Sequence, residues 1–146
     1  MEYLNEMKLE FLSKSENEAF ARAAVAAFAA QLDPTVEELT EIKTAVSEAV
    51  SNAVIHGYGH ETGRVTVEVM LTKDRKVIFS VTDDGVGIEN IEQAREPLYT
   101  SKADEERSGM GFTVMESFTD RMEVTSAPGE GTRVVMMKQL DSAYEL

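Results

Sequence analysis

Three polar side chains on one predicted helix have a spacing that suits metal and proton chemistry. Glu48, Asn52 and His56 are four residues apart, so on a helix they lie along one face. A carboxylate and an amide there can hold a hydrated magnesium ion and activate a hydroxyl group, because hard cations take oxygen ligands. An ordinary polar helix face has the same spacing, so this pattern alone leaves both interpretations open.

A glycine-containing turn follows a predicted strand. The run Asp83-Asp84-Gly85-Val86-Gly87 begins directly after the strand that ends near Val81. A carboxylate at a strand end can accept a hydrogen bond from an amino group such as that of adenine, and glycines let the backbone approach a ligand closely. A plain turn has the same composition. The run is not a dinucleotide-binding fingerprint, because Asn90 occupies the position of the third glycine.

A second glycine pair precedes the helix predicted over Phe112–Phe118. Backbone N–H groups in Ser108-Gly109-Met110-Gly111 can form an anion site, and Lys102 and Arg107 are the nearest cations. A turn that simply adjoins a helix would have the same residues. The phosphate loop of the common NTPases and the Gly-x-Ser-x-Gly elbow of hydrolases are both absent from the sequence.

Composition excludes several classes of protein. The 146 residues are 42% hydrophobic and 28% charged, which is a globular composition. The chain has no cysteine, which excludes disulfides, thiolate zinc sites and cysteine nucleophiles. A net charge of −13 disfavours nucleic acid and anionic membranes and favours a basic protein partner. The first residues do not resemble a signal peptide. We therefore expect one cytoplasmic domain over residues 1–146, without a membrane segment.

The hydrophobic pattern predicts a mixed α+β fold. Strands are expected from Met7 to Leu12 and in two hairpins, whose strands contain Val65–Leu71, Val77–Val81, Met122–Val124 and Val134–Met136. Two helices, ending near Gln31 and Ile55, each begin at a predicted capping box: Ser15 with Glu18, and Thr35 with Glu38. A short helix is expected over Ile88–Arg95. These elements predict a two-layer α/β sandwich, with helices on one face of a mixed, mainly antiparallel sheet.

The order of these motifs resembles that of the GHKL ATP-binding superfamily, which includes gyrase, Hsp90, histidine kinases and MutL. Residues 48–53 resemble its N box, residues 83–88 its G1 box, residues 109–111 its G2 box, and Gly131-Thr132 its last element. Segments 15–22, 97–102 and 106–112 are similar to the anti-sigma-factor serine kinases of Gram-positive bacteria. The similarity is greatest to the anti-sigma F type of endospore-forming bacteria.

This resemblance implies a Bergerat ATP-binding fold that uses ATP/ADP and Mg²⁺. It also implies a serine/threonine protein kinase that phosphorylates a serine of an anti-anti-sigma factor, and a homodimer that binds a sigma factor of the sigma F type. Glu48 then corresponds to the general base, Asn52 to the magnesium ligand and Asp83 to the carboxylate that binds adenine. The other nucleotide-site positions implied are Gly85, Gly87, Lys102, Arg107, Ser108, Gly109, Gly111 and Thr132, with the ATP lid over residues 96–108.

Alternatives share parts of this pattern. The anti-sigma B kinases of the stress response are near relatives, and a non-catalytic module could bind a sigma factor with ATP as a structural ligand, although such a module needs no base at Glu48. Histidine kinases and gyrase-type or MutL-type ATPases share the boxes, but a phosphoacceptor hairpin or coupled domains are expected with them. Arg22 is an isolated cation among alanines. It is either a contact for an acidic patch on a protein partner or a solvated part of the first helix.

Overall fold

The computed structural model describes residues 2–57, 62–85, 95 and 111–141. The strands are β1 Tyr3–Leu12, β2 Arg64–Thr72, β3 Lys76–Asp83, β4 Arg121–Ser126 and β5 Thr132–Gln139. The α-helices in these ranges are α1 Glu16–Ala29, α2 Val36–Asn52 and α3 Gly111–Ser117. A 3₁₀ turn over Ala30–Leu32 follows α1, and a π-helical segment over Ala53–Gly57 follows α2.

The five strands in the described ranges form one sheet in the order β1-β2-β3-β5-β4, and every pairing among them is antiparallel. Alternate residues along each strand point to the same face. The register places Val67 opposite Val81, and Val81 opposite Val134. These inward residues are almost completely buried. The hydrophobic alternation in the sequence is therefore the direct cause of the one-sided sheet.

The helices cover this buried face. The apolar stripe of α2 is completely buried at Ile42, Val46 and Val50, and it belongs to the same core cluster as Val25 of α1 and Met115 of α3. The predicted two-layer α/β sandwich, with helices on one face of a mainly antiparallel sheet, is confirmed, and among the described strands no parallel pair makes the sheet mixed. In the described part of the chain no helix is long and apolar enough to cross a membrane.

One of the two predicted capping boxes is present. The Glu38 N–H donates to Thr35 Oγ1 at 3.0 Å, and the Thr35 N–H donates to Glu38 Oε1 at 2.8 Å. The box predicted at Ser15 was wrong, because the Ser15 side chain makes no capping bond and its backbone is already helical, with φ −59° and ψ −30°. A capping hydroxyl reaches the first free N–H groups of a helix when its own backbone is extended. The backbone of Thr35 is extended, and that of Ser15 is not.

The end of α2 also differs from the expected regular helix to Ile55. The α-helix ends at Asn52, and the chain continues as a π-helix to Gly57. A π-helix has more residues per turn, so the four-residue step from Asn52 to His56 no longer corresponds to one helical turn. The helix predicted over Ile88–Arg95 and the lid predicted over residues 96–108 lie outside the described residues, apart from Arg95.

Candidate active site

The last turns of α2 meet the first residue of α3. A Cβ atom built on Gly111 would lie 3.1 Å from Asn52 Nδ2, 3.2 Å from Asn52 Oδ1 and 3.4 Å from Glu48 Oε2. Glu48 and Asn52 are partly buried, and Gly111 is buried. The chain therefore folds so that the carboxylate, the amide and the backbone at Gly111 adjoin one another, although about 60 residues of sequence separate them.

The amide of Asn52 can serve as an oxygen ligand for a cation. Within the described residues, no group of three or more histidine, cysteine or acidic side chains is arranged to hold a metal ion by itself. Mg²⁺ in phosphoryl-transfer sites is usually held by one or two protein groups together with substrate phosphates and waters. A single amide beside a carboxylate is consistent with a magnesium ion shared with phosphates.

Asp83 is a buried carboxyl group at the end of β3. Its exposed fraction is 5%, and its Oδ1 accepts a hydrogen bond of 2.9 Å from the Gly85 N–H. Burial raises the pKa of Asp83 to about 6, the backbone N–H of Gly85 opposes that rise, and the charge of Asp84 adds to it. The Thr132 backbone also donates to this carboxyl and lowers its pKa. Asp83 can therefore accept a hydrogen bond in an environment largely shielded from water.

The neighbouring strand β5 begins directly beside Asp83. Asp83 and Thr132 are paired across β3 and β5. The hydroxyl oxygens of Thr132 and Ser126 are 2.8 Å apart, and the Ser126 hydroxyl donates to the carbonyl oxygen of Gly131 at 2.7 Å. Ser126 therefore fixes the orientation of the Thr132 hydroxyl. Sequence reasoning missed Ser126, which the pairing of β4 with β5 would have placed opposite Thr132.

The two parts of the site are connected through the helix end. The π-helical segment that follows Asn52 packs against β3, the strand that ends at Asp83. A π-helical turn inserted in a helix is often found at functional sites. Of the other predicted nucleotide-site residues, Gly85 follows Asp83 in the described chain, whereas Gly87, Lys102, Arg107, Ser108 and Gly109 lie outside the described residues.

Arg22 points from α1 toward α2. Its Nη1 lies 3.6 Å from Glu18 Oε1 and 3.5 Å from Ser47 Oγ, the residue directly before Glu48. A surface groove between the two helices is lined by Glu18, Arg22, Thr40, Lys43, Thr44, Ser47 and Glu48. The cation and the candidate base therefore line the same groove. Sequence reasoning missed Lys43, although helical spacing places it about one turn before Ser47.

Comparison with protein families and known proteins identifies relatives of this chain. Residues 11–138 match the model of the histidine kinase-like ATPase domain. An anti-sigma F factor of a Thermoanaerobacter strain is 57% identical over 142 residues, which cover 97% of this chain and 99% of that protein. The anti-sigma F factor of Clostridium beijerinckii is 60% identical over 138 residues, 94% of this chain and 96% of that protein.

Solved structures share the fold at lower sequence identity. The RsbU and RsbW domains of a Mycobacterium tuberculosis protein superpose with a TM-score of 0.66 at 20% identity, over 93% of this chain and 32% of that one. The mycobacterial sensor histidine kinase MprB superposes with a TM-score of 0.56 at 16% identity, over 92% of this chain and 97% of that one. Residues 11–138 of this chain form a histidine kinase-like ATPase domain. The extent and level of identity show that the chain belongs to the anti-sigma F factor family.

Proposed function

We propose that this protein is an anti-sigma factor with ATP-dependent serine kinase activity. It binds a sigma factor of the sigma F type, and it transfers the γ-phosphate of ATP to a serine of an anti-anti-sigma protein. The observation that carries the proposal is the contact of Gly111 with Glu48 and Asn52. A base, a magnesium ligand and a phosphate-side glycine are the groups that phosphoryl transfer requires in one place.

Glu48 acts as the general base in this proposal. As the serine oxygen forms a bond to the γ-phosphorus, the bond from phosphorus to the ADP oxygen breaks and the hydroxyl proton passes to the Glu48 carboxylate. Asn52 holds Mg²⁺, which when bound offsets the negative charge of the phosphates. A positioned base contributes about 10²–10⁴-fold to such a reaction. Phosphate oxygens approach the backbone at Gly111, where a side chain would instead contact Asn52 and Glu48.

The adenine ring binds at the end of β3 and β5. Asp83 accepts a hydrogen bond from the adenine amino group, because its carboxyl group is buried at the end of β3. Thr132 is paired with Asp83 across the strands, and its hydroxyl is held by Ser126. Gly85 allows close approach of the adenine ring. We extend the site to Gly87, Gly109 and Ser108, and to Lys102 and Arg107 as cations of the lid, from the resemblance alone.

Arg22 binds an acidic patch on a protein partner. Its position in the groove that also contains Glu48 supports this role, because a protein substrate must reach the base from outside. Replacing Arg22 with Glu should weaken binding of the anti-anti-sigma protein and the sigma factor, as measured by calorimetric titration. The same substitution at the exposed Lys14 is the matched control. Unchanged affinity of both partners for the Arg22→Glu variant would exclude the role.

The kinase activity is tested directly with a protein substrate. We also propose that the chain is a single domain and forms a homodimer. The protein is incubated with Mg²⁺, γ-labelled ATP and an anti-anti-sigma protein from a spore-forming bacterium. We expect label on one serine of that protein and none when the serine is replaced by alanine. A chain that binds ATP and the sigma factor but transfers no label would instead be a nucleotide-dependent sigma-binding module.

A further inference from the structure

Three polar residues lie side by side on the helix-covered face of the sheet, at the end that holds Asp83. Strand pairing places Asp83 opposite Thr132, and Thr132 opposite Ser126. We call these three residues the polar row. The next row on the same face is apolar in every strand and contains Leu9, Val67, Val81, Val134 and Val124. Polar groups on a covered face need hydrogen-bond partners, so the bonds of the polar row decide what it can offer to a ligand.

The two hydroxyl groups of the polar row have a fixed direction of donation. Ser126 Oγ lies 2.7 Å from the carbonyl oxygen of Gly131 and 2.8 Å from Thr132 Oγ1. A carbonyl oxygen only accepts and a hydroxyl group has a single proton, so the Ser126 proton is used on Gly131. Thr132 must then donate its own hydroxyl proton to Ser126, because hydrogen-bonded oxygen atoms at this distance share a proton. Donation therefore runs from Thr132 through Ser126 to Gly131.

The backbone donors beside the hydroxyl groups are engaged as well. The Thr132 backbone N–H donates to the Asp83 carboxyl group, and the Gly85 N–H donates to Asp83 Oδ1 at 2.9 Å. A threonine has one backbone donor and one hydroxyl donor, so both donors of Thr132 have partners within the protein. What Thr132 and the ionised Asp83 can still offer to a ligand is lone pairs. The strand pairing places these two acceptors next to each other.

We propose that Ser126 is the positioning residue that sets the base specificity of this site, because it holds the Thr132 hydroxyl as an acceptor. The inference rests on the ATP site of the proposed function and adds the residue that selects the purine. The exocyclic amino group of adenine has two N–H donors, which suit two adjacent acceptors. The exocyclic carbonyl oxygen of hypoxanthine has only lone pairs and would be left without a donor, which is costly in a shielded site.

Ser126 is needed because a threonine hydroxyl can otherwise adapt to either base. The proton of an unpaired hydroxyl group rotates to suit its neighbour, so a released Thr132 could donate to a carbonyl oxygen as readily as it accepts from an amino group. Strong discrimination between such ligands requires that the wrong ligand leave polar groups of the site unpaired. By taking the Thr132 proton and passing its own to Gly131, Ser126 prevents this adaptation.

Inosine triphosphate is the matched probe, because it has a carbonyl oxygen in place of the adenine amino group. Calorimetric titration of the full chain with each Mg²⁺-nucleotide, at a pH well above the pKa of Asp83, gives the two affinities. For Ser126→Ala we expect the ratio of ATP affinity to inosine triphosphate affinity to fall by about tenfold or more. Inosine triphosphate should also bind this variant more tightly than it binds the wild type. Damage to the fold would instead weaken the binding of both nucleotides by the same factor.

Two further variants separate positioning from local structure. Thr132→Val removes the hydroxyl group through which Ser126 acts, so adding Ser126→Ala to Thr132→Val should leave the affinity ratio unchanged. Thr125→Ala is the matched control on β4, because Thr125 is exposed and alternates to the opposite face of the sheet. It should keep the wild-type ratio. A further fall of the ratio in the double variant, or an equal fall in Thr125→Ala, would contradict action through Thr132.

The outcomes distinguish this inference from the proposed function. A wild type that binds neither nucleotide would refute the ATP site itself and the proposed function with it. A wild type that binds both nucleotides equally, or a Ser126→Ala variant that binds ATP with the wild-type ratio, would overturn the role of Ser126 alone. The titrations do not measure phosphate transfer, so the kinase assignment is tested separately.

Discussion

The backbone carbonyl oxygen of Asp83 lies 2.1 Å from the position that a Cβ atom on Gly131 would occupy. Gly131 also has a φ of +76°, a backbone angle that residues other than glycine rarely adopt. The strand end that holds the candidate adenine acceptor is thus in direct contact with the turn between β4 and β5. Position 131 therefore controls the position of the carboxyl group at 83.

Gly131→Ala should disturb both stability and nucleotide binding. We expect the free energy of unfolding to fall by about 2 kcal/mol or more, because a methyl group meets backbone atoms that must move and the left-handed conformation is strained. The affinity for ATP should also fall, because the displaced backbone carries the Asp83 carboxyl group. Gly129→Ala is a matched control, because Gly129 has a similar φ of +78° but no atom within 4 Å of its built Cβ.

For Gly129→Ala we expect the free energy of unfolding to fall by about 1–2 kcal/mol from backbone strain alone, and the affinity for ATP to stay unchanged. Urea unfolding and calorimetric titration measure the two quantities. If the two glycine variants lost the same stability and bound ATP equally well, the contact between Gly131 and Asp83 would have no role in the site.

The buried Asp83 predicts a pH dependence of nucleotide binding. The charged carboxylate is the stronger acceptor for the adenine amino group, and the pKa of Asp83 is about 6 in the free protein. ATP affinity should therefore decrease as the pH is lowered through about 6. Replacement of Asp83 by Asn should remove this dependence, and replacement by Ala should cost about 1–3 kcal/mol of binding free energy at pH 7.5. Unchanged affinity of the Asp83→Ala variant would contradict the adenine assignment.

The same shift predicts how Asp83 affects folding stability. Its folded pKa is above the unfolded value, so the native protein holds this proton more tightly than the unfolded chain does. The contribution of this group is therefore most favourable below pH 4, declines as the pH rises from about 4 to 6, and is constant above that range. In paired urea titrations, the stability of Asp83→Asn relative to the wild type should rise across this interval. A pH-independent difference would indicate that the pKa of Asp83 is not raised.

The two helix starts provide a further matched pair. Thr35→Ala should lower the free energy of unfolding by about 1 kcal/mol, because it removes the acceptor for the Glu38 N–H. Ser15→Ala should change it by less than about 0.5 kcal/mol, because the Ser15 side chain makes no capping bond. Urea unfolding of both variants measures the difference. A larger loss for Ser15→Ala than for Thr35→Ala would mean that the caps are assigned to the wrong residues.

Gly111→Ala should affect the reaction more than the fold. Its methyl group would lie 3.1–3.4 Å from polar atoms of Asn52 and Glu48, so these side chains must move by a few tenths of an ångström. We expect phosphate transfer to fall by about tenfold, because small displacements of reacting groups reduce rates strongly, while the unfolding midpoint changes little. Normal transfer by this variant would show that the contact does not position the reacting groups.

The sequence predicted the sheet well, because Val65, Val67 and Val81 alternate with polar residues, and this alternation is typical of an antiparallel sheet with one buried face. It also placed Glu48 and Asn52 on one helical face, which follows from helix geometry alone. Local pattern did not reveal that the Ser15 backbone is helical or that α2 continues as a π-helix after Asn52, since packing between elements decides both. The resemblance implied that Gly111 and α2 share one site, but local pattern could not show their contact, and the bond of Ser126 with Thr132 was missed because it depends on the pairing of β4 with β5.

The central claim is that Glu48 is the base of a serine kinase, and a single-turnover transfer assay with Glu48→Gln tests it most directly. The amide keeps the size of the side chain but cannot accept the serine proton. With saturating Mg²⁺ and γ-labelled ATP and an anti-anti-sigma protein, we predict a transfer rate about 10²–10⁴-fold below that of the wild type, with ATP affinity within about twofold. Transfer at the wild-type rate, or losses of affinity and transfer of equal size, would contradict the assignment.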